Sequence, residues 1–235
     1  EYDVSKELPY LCSNLYEKQN VLSLYTSLTT YPFEAIFLEP GRQVKHINRI
    51  YKDNALSPAI NKLFNSIKIC PECIKEDMQT YGEPYMHRAH QLSGVCICHK
   101  HKTGLKQFIG IKGHACAYNL DDYTDVEYES CFQKEYEEYS RYCQKLLEAN
   151  TGGSSYALKD IIFNCLKDKG YSADNQYASF VNDFNNGIGK LFIGDISKYL
   201  KITLISAKYL DAFNTVIILM FLMPDVNQLI SRLNN

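Results

Sequence analysis

Cys70-Pro71-Glu72-Cys73 and Cys98-His99-Lys100-His101, with twenty-four residues between them, decide how this chain is read. Two cysteines separated by two residues grip one metal ion from a tight turn, and Pro71 pre-sets that turn. The second group repeats the spacing as Cys-x2-His. Three thiolates and one imidazole make a closed tetrahedral set for Zn2+, with no position left for a catalytic water. The spacing therefore predicts a structural zinc site on Cys70, Cys73, Cys98 and His101. Its binding energy is part of the folding energy of this segment.

Other donors lie close by in sequence. Cys96 and His99 compete with Cys98 and His101, but rank behind them because CPxC and CxxH are symmetric knuckles. His87 and His90 are expected to pack and hydrogen-bond around the module rather than to hold a catalytic metal. His114, Cys116 and Cys131 lack a second clean knuckle, and a further zinc site there stays an open alternative.

Outward from the module, charge is uneven. Between Pro40 and Lys112 twelve Lys/Arg face five acids; between Asp121 and Glu148 nine acids face three bases. A basic half beside an acidic half suits a polyanion partner for the first and a shield or protein contact for the second, or simply two solvated faces. The whole chain of 235 residues carries a net charge of only −2. Glu1–Pro9 has no secretory character. Val216–Met223 is the longest apolar run, far short of the roughly 20 residues that span a bilayer, so no membrane association is expected. Nine cysteines without an export signal and at metal-ligand spacing predict reduced, intracellular thiols and a cytoplasmic location. The chain begins without Met inside helical sequence, which reads as a fragment.

The periodicity predicts a mostly α fold: helical domains around a small structural zinc-finger module. Residues 20–38 read as helix interrupted near Pro32, and Glu39-Pro40-Gly41 as a stop and turn before a short basic stretch, 42–52. Ser57-Pro58 opens a helix that leads to Cys70. Leu105, Phe108 and Ile109 alternate as a short hairpin or loop. Residues 130–149 form a strong helix with Tyr136, Tyr139, Tyr142, Cys143, Leu146 and Leu147 as its core stripe. Thr151-Gly152-Gly153-Ser154-Ser155 is the one clear linker. Helices follow at 156–169, 175–186, 190–211 and 213–232. Within 193–211 a turn near Lys201-Ile202-Thr203 gives helix-turn-helix spacing, with Ser206 and Lys208 toward DNA, or else two packed helices with no groove contact. The expected domains are 1–60 (helical, truncated), 61–118 (the zinc-binding module), 119–150 (an acidic helical connector) and 151–235 (a helical domain with the helix-turn-helix).

The stretch from Cys70 to His101 closely resembles the TniQ/TnsD family of transposon target-site selectors. The matching residues are Cys70, Pro71, Cys73, Glu76, Asp77, Tyr81, Gly82, Glu83, Tyr85, His87, Arg88, His90, Gln91, Gly94, Val95, Cys98 and His101. Upstream, Glu7-Leu8-Pro9 and Thr30-Tyr31-Pro32-Phe33 are similar too, and the second half of the chain more weakly. Met86 stands where the family has Trp, and His99 where it has Pro; the family's opening helices are absent. The resemblance implies a non-enzymatic adaptor in a prokaryotic, nucleoid-associated setting. Such an adaptor recognises a target site or a guide-RNA effector complex, and recruits an AAA+ ATPase that licenses the transposase.

From the residues themselves, the candidates for contacts to double-stranded DNA are Arg42, Lys45, Arg49, Lys52, Arg88, Lys100, Lys102 and Lys106, with Tyr85 as a stacking contact. The alternative for each is an ordinary solvated base, and for the whole chain a protein–protein scaffold docking on a guide complex. No enzyme is expected: the sequence has no open metal site, paired carboxylates, nucleophile elbow or phosphate-cradling loop.

Overall fold

The computed structural model describes residues 21–52, 67–109, 120–171, 177–208 and 210–234, with side chains in the first stretch for residues 22–48. Among these residues there are ten α-helices and three short strands, so the mostly α expectation holds. The helix expected after Ser57, and His114 and Cys116, lie outside the described residues. The chain divides into two units, Glu1–Tyr31 with Val44–Ser140, and Pro32–Gln43 with Arg141–Asn235.

The first unit is built on a small antiparallel sheet. Strand β1 (Lys68–Ile69) pairs with β2 (Lys106–Phe108), and β2 with β3 (Tyr123–Asp125). The expected hairpin or loop at 105–109 is thus the centre of three strands, two of them too short to leave a periodic signal. Phe108 faces Tyr123 in register, ring edge to ring face, with centroids 5.4 Å apart. They form the core with Ile67 and Ile69, and Ile74 packs against it. Aromatic cross-strand pairs of this kind hold short sheets together.

Helix α1 (Val21–Leu28) buries Leu24 and Tyr25. The chain breaks at Thr29-Thr30 before α2 (Tyr31–Ala35), as the Pro32 signal predicts. Residues 40–52, expected to be a turn and a basic stretch, are instead one helix, α3 (Pro40–Lys52). The Pro-Gly pair misleads here because proline in the first turn costs no intrahelical hydrogen bond. His46 on α3 bonds the Tyr25 hydroxyl at 2.9 Å and stacks on Tyr31 at 4.7 Å. Helix α4 (Pro71–Tyr81) starts on Pro71 and ends on Gly82, whose φ of 79° closes the last turn onto the Met78 carbonyl. Helix α5 (Gln133–Ala149) begins in this unit, where Tyr139 is fully buried and its hydroxyl donates to the Ser93 carbonyl at 2.7 Å.

In the second unit α6 (Ser155–Asp168) packs against α8 (Ile196–Ser206), α9 (Ala212–Leu222) and α10 (Val226–Leu233), while α7 (Ala178–Asn185) packs against α8 and sets Phe180 and Phe184 edge-on to Phe221 of α9. Helix α9 is buried from Phe213 to Met220, so its apolar run is core. No single helix among the described residues is long and apolar enough to cross a membrane. Side-chain caps start α6, α8, α9 and α10: Ser154, Asp195, Asp211 and Asp225 each accept from a backbone N–H of the first turn. These caps split the long helices expected at 190–211 and 213–232. Helix α8 runs unbroken through Lys201-Ile202-Thr203, so the turn expected there is absent; the chain bends at Ala207 instead. The helix that follows is α9, which is buried on every side and presents no face to a groove.

Thr151–Ser155 does not behave as a linker. Thr151 and Ser155 are buried, Gln43 donates to the Gly153 carbonyl at 2.9 Å, and a Cβ on Gly153 would sit 2.7 Å from Leu233 Cδ2. The glycine signal reports a close approach rather than freedom. The division between the units falls at Ser140, inside α5.

Candidate metal centre

Two backbone features carry the four ligands. Cys70 is the N-cap of α4 and Cys73 lies in its first turn, where the positive end of the helix favours thiolates. Cys98 opens a tight turn: its carbonyl accepts from Lys102 N–H at 2.8 Å, its N–H donates to Thr103 O at 2.8 Å, and Lys102 takes a φ of 58°. That turn swings His101 back over Cys98, whose Sγ accepts from His101 N–H at 3.4 Å.

The result is one cluster. His101 Nδ1 lies 3.6 Å from Cys70 Sγ, 3.4 Å from Cys73 Sγ and 3.7 Å from Cys98 Sγ, and Cys73 Sγ is 3.7 Å from Cys98 Sγ. A tetrahedron around Zn2+ has edges of ~3.8 Å between sulfurs and ~3.6 Å from sulfur to nitrogen, from the usual bond lengths. The separations match. All three cysteines are buried and His101 is half-buried. The thiols also constrain one another. Cys73 and Cys98 favour the thiolate at Cys70, and the contact with Cys70 holds Cys73 protonated. A divalent cation is what lets all three ionise together. The donor set therefore fits a metal ion of zinc's preferences, held without an open position.

The surrounding residues orient this set. Glu76, one turn past Cys73, accepts from His101 Nε2 at 3.0 Å, which leaves Nδ1 toward the sulfurs. Lys100 pairs with the other Glu76 oxygen. Lys100, then His101, hold the Glu76 carboxyl below its ordinary range. The Thr103 hydroxyl lies 3.4 Å from Cys70 Sγ. Asp77, buried beside Glu76, pairs with His87 Nε2 at 3.0 Å and accepts from Tyr85 N–H at 3.4 Å. Tyr85 stacks on His87 at 4.1 Å. Gln91 extends the β1 edge as a strand would: it accepts from Lys68 N–H at 2.9 Å and donates to Lys68 O at 2.6 Å. Lys68 Nζ in turn donates to the carbonyls of Leu92 and Val95. His90 is buried, with Nε2 3.9 Å from Cys73 Sγ, and burial pushes it down to about 3, so the ring is neutral. Cys96 is buried away from the cluster and its thiol is pushed up to about 12.

From Asp77 to Gln91, then, the polar side chains tie loop to helix and loop to strand. Roles for Glu76, Asp77, Lys68 and Gln91 are absent from a reading of spacing. The accessible signal was helical phase: Cys70, Cys73 and Asp77 recur on one face of α4, and Glu76 is one turn beyond Cys73.

Residues 16–105 match the sequence model of the TniQ family. That stretch of the chain is similar to a TniQ domain. No curated protein matches the chain. The match spans the region upstream of the module and both knuckles, and TniQ is a family of non-catalytic transposition adaptors.

Within and beside the matched stretch the basic residues have different surroundings. Arg88 donates to the carbonyls of Thr26 at 2.9 Å and Thr29 at 2.8 Å, closing the end of α1. Lys100 is paired with Glu76, Lys106 with Asp125 at 2.8 Å across β2–β3, and Arg42 with Glu39 at 3.5 Å. Lys45 and Lys102 are exposed. Arg49 and Lys52 lie on α3, with side chains outside the description.

Proposed function

We propose that this protein is a target-site selection adaptor of a multi-protein cut-and-paste DNA transposon, acting in a prokaryotic cytoplasm. In this reading it binds target DNA and recruits an AAA+ ATPase. The observation that carries it is the TniQ match over the region that folds the Cys3His cluster. Zinc at Cys70, Cys73, Cys98 and His101 acts structurally: it fixes α4 against the 98–103 turn and so the surface between them. Lys45 and Lys102, with Arg42 and the 49–52 end of α3, are the cations assigned to phosphates. Such contacts give an affinity that falls steeply with salt. The test is binding of the chain to a mixed-sequence duplex over a salt series, with co-purification of the ATPase from the same element. A steep negative slope together with a stable ATPase complex supports the adaptor.

A second reading is favoured by one observation. Arg88, Lys100 and Lys106 already satisfy carbonyls or carboxylates within the module, which leaves fewer cations for DNA than composition suggests. On that reading the protein is a scaffold that docks onto a guide complex. Tight binding to the protein partner with no measurable affinity for naked duplex distinguishes it.

A further inference from the structure

The cluster does not exhaust the metal-ligating groups at this place. His90 and His99 offer two further donors that, with Cys98 and taking one atom per residue, all lie within 4.8 Å of one another, so Cys98 belongs to both groups. His90 is only 1% exposed, and its Nδ1 has no hydrogen-bond partner among the described residues. A buried ring nitrogen left without a partner is costly, and a native fold normally satisfies it with a group, a water or an ion. His99 is half-buried, as His101 is in the first group.

We propose that His90, His99 and the shared Cys98 thiolate bind a second cation, making Cys98 a bridge between two ions. The inference rests on the reading of the Cys3His cluster as a metal site. A thiolate keeps lone pairs after binding one ion and can bridge to another. Two imidazoles and a bridging sulfur suit borderline and soft cations: Zn2+, Co2+, Cd2+ or Cu+. Three protein donors leave a position open, so this ion exchanges readily, whereas the closed Cys3His set holds its ion tightly. Bound through Nδ1, the second ion would also supply the partner that this atom lacks. Each group is otherwise buried and carries one half-buried imidazole, His101 in the first and His99 in the second.

The test is titration of the metal-stripped 235-residue chain with Co2+ alone, and separately Cd2+ alone. It reads bound equivalents by elemental analysis and thiolate-to-metal absorption. Two equivalents are expected, the second released first by a mild chelator. His99→Ala then binds one equivalent with the first ion's absorption intact, and the double variant His90→Ala/His99→Ala does the same. His99 is the accessible position, so its single variant decides the matter even where the buried His90 change impairs folding. One equivalent in the unsubstituted chain overturns the second site and leaves the first. Two equivalents retained in His99→Ala overturn it as well, because the second ion then sits elsewhere. No bound metal at all overturns the Cys3His reading instead.

Discussion

Glu76 accepts a hydrogen bond from His101 Nε2 at 3.0 Å, and this contact decides which ring nitrogen meets the three sulfurs. A helix turn separates Glu76 from Cys73, so one helix supplies both a ligand and the group that aims another ligand.

Glu76→Gln keeps the shape but weakens the acceptor. Outer partners of this kind are worth about 10–100-fold in metal affinity. We expect a loss in that range by chelator competition, with the folded, metal-loaded chain retained.

The Glu76 carboxyl titrates below its ordinary value, with Lys100 and then His101 as the causes. A depressed carboxyl stabilises the fold above its unfolded pKa and loses that contribution as pH falls through the folded one. Proton competition for the thiolates acts in the same direction. Metal release monitored by an indicator dye is therefore expected on acidification, and Glu76→Gln is expected to release at higher pH.

Arg88 is a clamp for two carbonyls rather than a free cation. Removing it leaves both acceptors without that donor, at about 1–3 kcal/mol. Arg88→Ala should lower the unfolding free energy by that amount, read from a denaturant titration. Arg88→Lys should recover only part, since one ammonium does not reproduce the planar fork. If DNA is bound, the salt slope should not change in either variant.

A side chain at Gly153 forces Leu233 to shift. A Cβ there meets Leu233 Cδ2 at 2.7 Å and Ile36 Cγ2 at 3.4 Å. Gly153→Ala is expected to cost about 1–3 kcal/mol by overpacking, measurable as a fall in Tm.

Lys45→Glu and Lys102→Glu test the DNA assignment. Each should weaken duplex binding across sequences and reduce the salt slope by about one. Unchanged slopes in both would move the account to the scaffold reading.

Much of this was legible in the residues. The two knuckles carried the cluster because ligand spacing is a local property, and Ser154, Asp195, Asp211 and Asp225 carried helix starts that a closer reading of caps supplies. What failed, failed for physical reasons. Pro40-Gly41 reads as a turn, yet proline is at home in a first helical turn. Gly152-Gly153 reads as a linker, yet Gly153 sits where the Leu233 side chain leaves little room for a Cβ. Strands of two and three residues, such as Lys68–Ile69 and Tyr123–Asp125, are too short for alternation to show. The partners of Arg88 and Gln91 lie 23 to 62 residues away in sequence, where no periodic pattern reaches.

The most direct test of the central claim is X-ray absorption at the zinc edge on the chain loaded with one equivalent. Three sulfurs at ~2.3 Å and one nitrogen at ~2.0 Å are expected. A shell with fewer than three sulfurs, or one dominated by nitrogen and oxygen, would contradict it.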